Sequence, residues 1–293
     1  MAGILRKLYF IFPNDTIYLK IIFRLEMGYP LNLGNPKTYN EKIQWLKIYD
    51  RNPIYIKMVD KAAVKDYVAG KIGKQYIIPT LGLWLQPSDI DWDSLPSQFV
   101  LKTTHGGGGG SVIICNDKNK LNKENAIKKL NKCLNADIYS KYREWPYKNV
   151  PKRIIAEKYM DPNKQMKALP FLADYKFFCF DGEPKFLYYS DSQNHKLAFM
   201  NIDWTIADFN RDDYKPLDEL PEKPSNFDEM LNIARVLSNG IPHVRVDLYY
   251  WENRIYFGEL TLYTGSGYVP FNPKKYDKIL GDLLILPTIS NEN

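Results

Sequence analysis

Five consecutive glycines, Gly106, Gly107, Gly108, Gly109 and Gly110, separate Phe99-Val100-Leu101-Lys102-Thr103-Thr104-His105 from Ser111-Val112-Ile113-Ile114-Cys115. Ordering glycine costs more backbone entropy than ordering any other residue, so a folded chain keeps such a run where side chains cannot fit. Close approach of backbone N–H groups to phosphate oxygens is one such place. The flanks narrow the choice. A P-loop needs Gly-Lys-Ser/Thr opening a helix, whereas Gly110-Ser111 opens a β-rich stretch. A dinucleotide fingerprint begun at Gly106 needs a glycine where Ser111 stands, and again a helix after it. What is left is a strand–glycine–strand flap, with Lys102 placed to reach phosphate oxygens and His105 beside the loop. A floppy surface linker is the plain alternative, and the organised flanks weigh against it.

A second constellation lies near the end of the chain. His243-Val244-Arg245-Val246-Asp247-Leu248 alternates, so Arg245 and Asp247 share one face of a strand and the three aliphatic residues the other. Folding about Asn253 brings Ile255-Tyr256-Phe257-Gly258-Glu259-Leu260-Thr261 alongside, with Asp247 opposite Glu259 and Arg245 opposite Thr261. Two carboxylates across a hairpin repel unless something compensates. Mg²⁺, held by these oxygens together with substrate phosphates, is one answer. Neutralisation by Arg245, or escape of both carboxylates to solvent, is the other. Asp174 and Lys176 share a strand face and suit either a polyphosphate site or a surface salt bridge. Glu157-Lys158-Tyr159-Met160 ends a strand in a polar-then-apolar step that could present backbone groups and a carboxylate to a purine.

Around these motifs the spacing predicts a mostly helical region over residues 1–98. Thr38 and Glu41 form a capping box, Asp60 to Val68 an amphipathic helix stopped at Gly70, and Ile77 to Trp84 a short strand. A helix is expected over Lys120 to Leu134, and another over Phe227 to Asn239 ending at Gly240. Asp181-Gly182 predicts a hairpin between Tyr175–Phe180 and Pro184–Tyr189. The three cysteines, Cys115, Cys133 and Cys179, show neither pairing nor zinc spacing and suit a reducing compartment. The three histidines also lack metal spacing. Asp91-Trp92-Asp93 matches the Asp-x-Asp of sugar-nucleotide transferases but lies in a Pro/Ser-rich linker. The apolar stretch Leu8 to Phe12 is broken by Pro13, and no run reaches the roughly 20 residues of a membrane span. A peripheral contact with a membrane surface stays open. The net charge of +6 fits an anionic ligand and a merely soluble surface alike.

In order and combination these residues resemble the TupA-like branch of the ATP-grasp superfamily, named for a teichuronopeptide biosynthesis protein. The similarity runs from Thr38-Tyr39-Asn40-Glu41 through Asp60-Lys61, the Lys102/glycine segment, Glu157–Met160 and Asp174-Tyr175-Lys176. It ends with Arg245-Val246-Asp247 and Gly258-Glu259-Leu260-Thr261, followed by Gly265-Ser266-Gly267. The resemblance implies an α+β ATP-grasp fold in which two α+β subdomains clamp ATP, taken as residues 99–160 and 161–293 after the N-terminal region. It implies ATP and Mg²⁺ as cofactors, with Lys102, Lys176 and Asp174 at the phosphates, and His105, the five glycines and Ser111 over them. Residues Glu157, Lys158, Tyr159 and Met160 then hold adenine. Asp247 and Glu259 bind metal; Arg245 steadies the transferring phosphoryl group or the tetrahedral oxyanion, and Lys176, at the phosphates, is the second catalytic residue. Thr261 stands where many ATP-grasp enzymes place a metal-binding Asn, which leaves the number of metal ions open.

The expected activity is ligation of a carboxylate to an amine through an acylphosphate, in surface or capsular polysaccharide biosynthesis. The partners would be a carboxylate-bearing sugar or polysaccharide precursor and an amine such as an amino acid, with no nucleic acid. A cytoplasmic protein, reaching at most the inner face of the membrane, is expected. A glycosyltransferase using a nucleotide-sugar donor is the alternative. Between Asp191 and Lys215, His195, Lys196 and Arg211 are expected to touch substrate.

Overall fold

The computed structural model of the protein describes residues 12, 14–106, 109–167, 171–191, 194–217 and 219–288. Most of the Leu8–Phe12 segment, and Gly107 and Gly108 of the glycine run, lie outside the described residues. The chain opens on α1 (Asp15–Met27), which Asn14 caps by accepting from the Ile17 N–H. The capping box is present at α2 (Tyr39–Tyr49): Thr38 Oγ1 accepts from the Glu41 N–H and the Glu41 carboxylate from the Thr38 N–H. This helix buries two faces. Tyr39, Ile43 and Leu46 join the core, while Asn40, Gln44 and Lys47 are buried as polar groups that hold the chain at Ser266–Val269. Next come α3 (Ile54–Val59) and α4 (Ala63–Ile72). The stop expected at Gly70 falls three residues later. Nothing crowds Gly70, so the helix runs through it and ends at Gly73, whose φ of 105° most side chains avoid.

Strands β1 (Thr80–Trp84), β2 (Phe99–Thr103), β3 (Val112–Cys115) and β4 (Ile154–Lys158) form an antiparallel sheet in the order β1-β4-β2-β3. The boundary expected at residue 98 therefore lies inside one sheet. Helix α5 (Lys123–Leu134) covers the face bearing Phe99, Leu101, Ile154 and Ala156, and Leu130 supplies the contact. The opposite face carries Val100, Lys102, Ile155 and Glu157, flanked by Leu83, Val112 and Ile114. Leu83 and Ile114 are exposed there. A short α6 (Ile138–Tyr142) precedes β4.

The rest of the chain builds a larger sheet from β5 (Asp174–Phe180), β6 (Glu183–Asp191), β7 (Lys196–Asn201), β9 (Lys215–Pro216), β10 (His243–Trp251) and β11 (Arg254–Thr261). Its order is β11-β10-β5-β6-β7-β9, antiparallel except for β7 with β9. A small ladder joins β8 (Asn210–Arg211) to β12 (Phe271–Asn272). Asp181 and Gly182, at φ 48° and 81°, make the tight β5–β6 turn, and Glu252 and Asn253 do the same between β10 and β11. Helix α7 (Phe227–Ser238) lies on the face carrying Phe177 and Cys179. On the other face α2 covers one end, where Tyr39 packs against Phe178 and Phe180 and its hydroxyl meets His243 Nε2 at 2.9 Å. Helix α8 (Lys275–Leu283) docks on the start of α2. One core unites the N-terminal helices with the large sheet, a second lies under α5, and Ile78, Met160 and Trp251 form a third. This is the α+β architecture expected. Among the described residues no helix is long and apolar enough to cross a membrane.

Candidate active site

The acidic hairpin has the register its alternation predicts: Asp247 pairs with Glu259 and Arg245 with Thr261. Beyond Asp247 the register shifts, so that Leu248 faces Phe257 and Gly258 is the extra residue of a bulge. A Cβ on Gly258 would come within 3.0 Å of both the Asp247 carbonyl oxygen and the Tyr249 ring, so glycine lets the bulge close. Arg245 Nε and Nη2 each donate to Asp247 at 2.6 Å, and Lys176 Nζ approaches Asp247 Oδ2 at 2.6 Å and Asp174 at 3.0 Å. Arg245 Nη1 also donates to Tyr188 Oη at 3.1 Å. Asp247 is thus buried and ion-paired, as one of the two readings anticipated.

Glu259 differs. Its side chain is 42% exposed; Oε1 accepts from Thr261 Oγ1 at 2.8 Å, and Oε2 lies 3.7 Å from Lys61 Nζ. Desolvation would raise its pKa, but Lys61, Arg245 and Lys176 outweigh that and hold it at about 2. The carboxylate is ionised and faces open space.

On the smaller sheet, Glu157 is clamped by Lys65 at 2.5 Å and Lys102 at 2.6 Å. Burial raises its pKa, yet the two ammonium groups bring it below the ordinary carboxylate value. The carboxylate that the sequence offered to a purine is engaged instead, because a buried charge needs partners. Lys158 reaches over the Trp251 ring at 5.2 Å, and Met160 is buried with Ile78.

Lys61 and Lys65 belong to the segment entering α4, and sequence reasoning gave neither a role. The Lys61 backbone N–H donates to the Thr104 carbonyl at 3.0 Å, and its Nζ to the Gly106 carbonyl at 2.6 Å. Asp60 accepts from Arg153 at 2.6 Å and from the Ala62 N–H at 2.9 Å, which anchors the segment. The available signal was spacing: lysines four apart, directly after a helix-starting Asp, project from one side.

At the glycine run, residues Gly109–Ser111 make one 3₁₀ turn into β3. Lys129 Nζ donates to the Val112 carbonyl at 2.8 Å just beyond it. His105 is buried, and neither ring nitrogen has a hydrogen-bond partner among the described residues. Burial above all, then Lys152, lowers its pKa and keeps the ring neutral.

The residues expected to touch substrate are divided. Arg211 donates to Asp213 at 2.8 and 2.6 Å and lies over the Tyr214 ring, on which His195 stacks at 4.0 Å. Lys196 pairs in register with Asp191, on the opposite face from Tyr188. There it lines a cavity of about 610 Å³ with Tyr175, Tyr189 and Tyr250. Asp91 Oδ1 accepts from the Asp93 and Ser94 N–H groups, so the Asp-x-Asp sequence forms a local turn. The three cysteines are free thiols, and no group of three or more His, Cys, Asp or Glu is gathered for a metal among the described residues.

The solved structure of an L-amino acid ligase from Bacillus licheniformis superposes with a TM-score of 0.50 at 13% identity, covering 97% of this chain and 65% of that one. D-alanine–D-alanine ligase from Helicobacter pylori gives 0.46 at 14% identity, covering 85% and 69%. The D-cycloserine synthetase DcsG gives 0.43 at 14%, covering 80% and 72%. At 13% identity the likeness to the L-amino acid ligase concerns the fold alone. No curated protein matches the sequence. The family described as TupA-like ATPgrasp matches residues 41–285, and the chain belongs to it, an enzyme of the ATP-grasp class.

Proposed function

We propose that the protein is an ATP- and Mg²⁺-dependent carboxylate–amine ligase. The observation that carries this reading is Lys61, whose ammonium meets a glycine-run carbonyl and stands 3.7 Å from the half-exposed Glu259. The phosphate-type loop and the acidic hairpin therefore border one space. Lys61, Lys102 and Lys176 ring it with positive charge suited to a triphosphate, and Asp174 orients Lys176. The half-exposed apolar wall of Leu83, Val112 and Ile114 suits a purine, with Glu157–Met160 along its edge.

The donor set fits Mg²⁺, which takes one or two carboxylates and completes its shell with phosphate oxygens and water. Glu259 offers open carboxylate oxygen, Asp247 lies opposite it and Thr261 beside it. Mg²⁺ there would supply Lewis-acid stabilisation of the phosphate charge. Arg245, fixed by Asp247 and Tyr188, steadies the developing charge of the phosphoryl group. The γ-phosphoryl passes to a substrate carboxylate as the bond to ADP breaks. The amine then forms the C–N bond as the acyl C–O bond to phosphate breaks. A uronic acid or related sugar carboxylate in surface-polysaccharide assembly is our choice of acceptor, supported by the family resemblance.

Calorimetric titration of ATP with Mg²⁺, and ADP release with a panel of uronic and amino acids plus amines, test the reading in Lys102→Ala and Glu259→Ala. Loss of nucleotide affinity or turnover is expected. Unchanged binding and turnover in both variants would sink it, and binding of UDP-sugars without ATP would favour a transferase.

A further inference from the structure

The larger sheet carries a second cavity-bearing face. Lys176, Tyr188 and Asp247 share the face of the acidic hairpin, and strand alternation turns Tyr175, Tyr189 and Tyr250 to the opposite one. There the three tyrosines line the cavity of about 610 Å³, within the roughly 300–1,000 Å³ of small-molecule sites. Trp204 lies 6.2 Å from the Tyr175 ring and 4.9 Å from the Phe227 ring, which sets the cavity beside α7.

Both walls are pinned by specific hydrogen bonds. On one side Gln165 Nε2 donates to the Phe171 carbonyl at 2.8 Å, and its Oε1 accepts from the Ala173 N–H at 2.8 Å. On the other, Trp204 Nε1 donates to the Pro221 carbonyl at 3.1 Å. Lys167 and Glu219, both exposed, meet at 3.6 Å and link the two walls. On the floor the Tyr250 hydroxyl lies 2.9 Å from Ser225 Oγ. Tyr175 and Tyr189 differ from it. Their rings are 5.7 Å apart and the residues are 5% and 8% exposed, yet among the described residues neither hydroxyl has a hydrogen-bond partner. Each can both donate and accept.

The lining limits what fits. A purely apolar ligand would leave the two hydroxyls unsatisfied. The charges do not favour an ion of either sign: Lys167 meets Glu219, Lys196 stands opposite Asp191 in register, and Glu222 is exposed. What remains is a neutral molecule with apolar faces for the rings and hydroxyl groups along its edges. We propose that this cavity binds a neutral saccharide, with the Tyr175 and Tyr189 hydroxyls bonding to sugar hydroxyls. The site lies on the far side of the sheet from Glu259 and does not depend on the ligase reading.

The test titrates the nucleotide-free protein calorimetrically with maltotriose, chitotriose and rhamnose, and with glucuronate and putrescine as charged comparators. Wild-type protein is expected to bind at least one of the three neutral sugars, and neither comparator more tightly. The double variant Tyr175→Phe/Tyr189→Phe keeps both rings and should weaken that binding about tenfold, the scale of two neutral hydrogen bonds. Tyr189→Phe alone should weaken it about threefold, the scale of one. Affinity for ATP with Mg²⁺ should be unchanged in both variants, and Glu259→Ala should bind the sugar as the wild type does. Wild-type binding of none of the neutral sugars, tighter binding of glucuronate or putrescine, or equal sugar binding by the double variant would overturn the site. An equal loss of ATP affinity in the double variant would overturn it too, because the change would then be one of fold. Failure of the wild type to bind ATP would instead overturn the ligase reading.

Discussion

Replacing Gly106 by Ala tests whether the glycine run is shaped by its own flanks. The glycine has an ordinary φ, so the effect comes from space alone. Its added Cβ would overlap Ser111 Oγ and stand 2.6 Å from Thr103 Oγ1 and 2.7 Å from Ser111 Cβ. Thr103 and Ser111 are both buried, and a rotamer change can move the oxygens but not Ser111 Cβ. Overpacking of this kind costs about 1–3 kcal/mol. At about 2–4 °C per kcal/mol, the melting temperature should fall by several degrees. The loop must move to make room, so affinity for ATP with Mg²⁺ should fall as well. Ser111→Gly removes two of the three offending atoms, and the double variant should recover most of the loss. Scanning calorimetry and ATP titration across the four-member cycle report the coupling. A stable, fully binding Gly106→Ala, or a double variant no better than the single, would refute the reasoning.

Glu157→Ala leaves Lys65 and Lys102, whose side chains are 11% and 20% exposed, without their counter-ion. It should destabilise the protein by about 3–5 kcal/mol in urea denaturation; a loss below 1 kcal/mol contradicts the clamp. Gly281→Ala would place a methyl group against the Lys37 carbonyl oxygen and within 2.7 Å of the Tyr39 nitrogen. Because backbone cannot rotate away, α8 must lift from α2, and about 1–3 kcal/mol should be lost. Burial pushes the His243 imidazole down to about 3, against the opposing effect of the Cys179 carbonyl. A depressed folded pKa adds stability above the unfolded value, about 6.5, that is lost as pH falls toward the folded one. The urea midpoint should therefore drop between pH 6.5 and 5, and His243→Gln should flatten that slope; a wild-type midpoint constant over this interval refutes it.

What the sequence revealed and withheld divides along physical lines. The β10–β11 register was legible because strand alternation has a period of two and the turn at Glu252-Asn253 leaves little freedom. The same rule sets the side of Lys196. Its in-register pairing with Asp191 sends Lys196 to the cavity face, a parity that a loop without its register does not reveal. The end of α4 was missed because Gly70 and Gly73 look alike until their φ angles are known. The Glu157 clamp joins a helix to a strand more than ninety residues later, and no local pattern encodes such a pair.

Lys61 shows why the helical region cannot be a mere appendage. Its backbone N–H ties α4 to Thr104, its ammonium ties the same point to Gly106, and Asp60 binds Arg153 next to β4. Lys65, one turn on, completes the charge pairing of Glu157 with Lys102. Displacing this segment would at once remove a support of the glycine run, a counter-charge of Glu259 and half of the Glu157 clamp. On the proposed reading, nucleotide binding is then coupled to docking of the N-terminal helices, since both depend on the same few lysines. The Gly106 carbonyl and the Glu157 carboxylate are thus both held from the short stretch between Asp60 and Lys65.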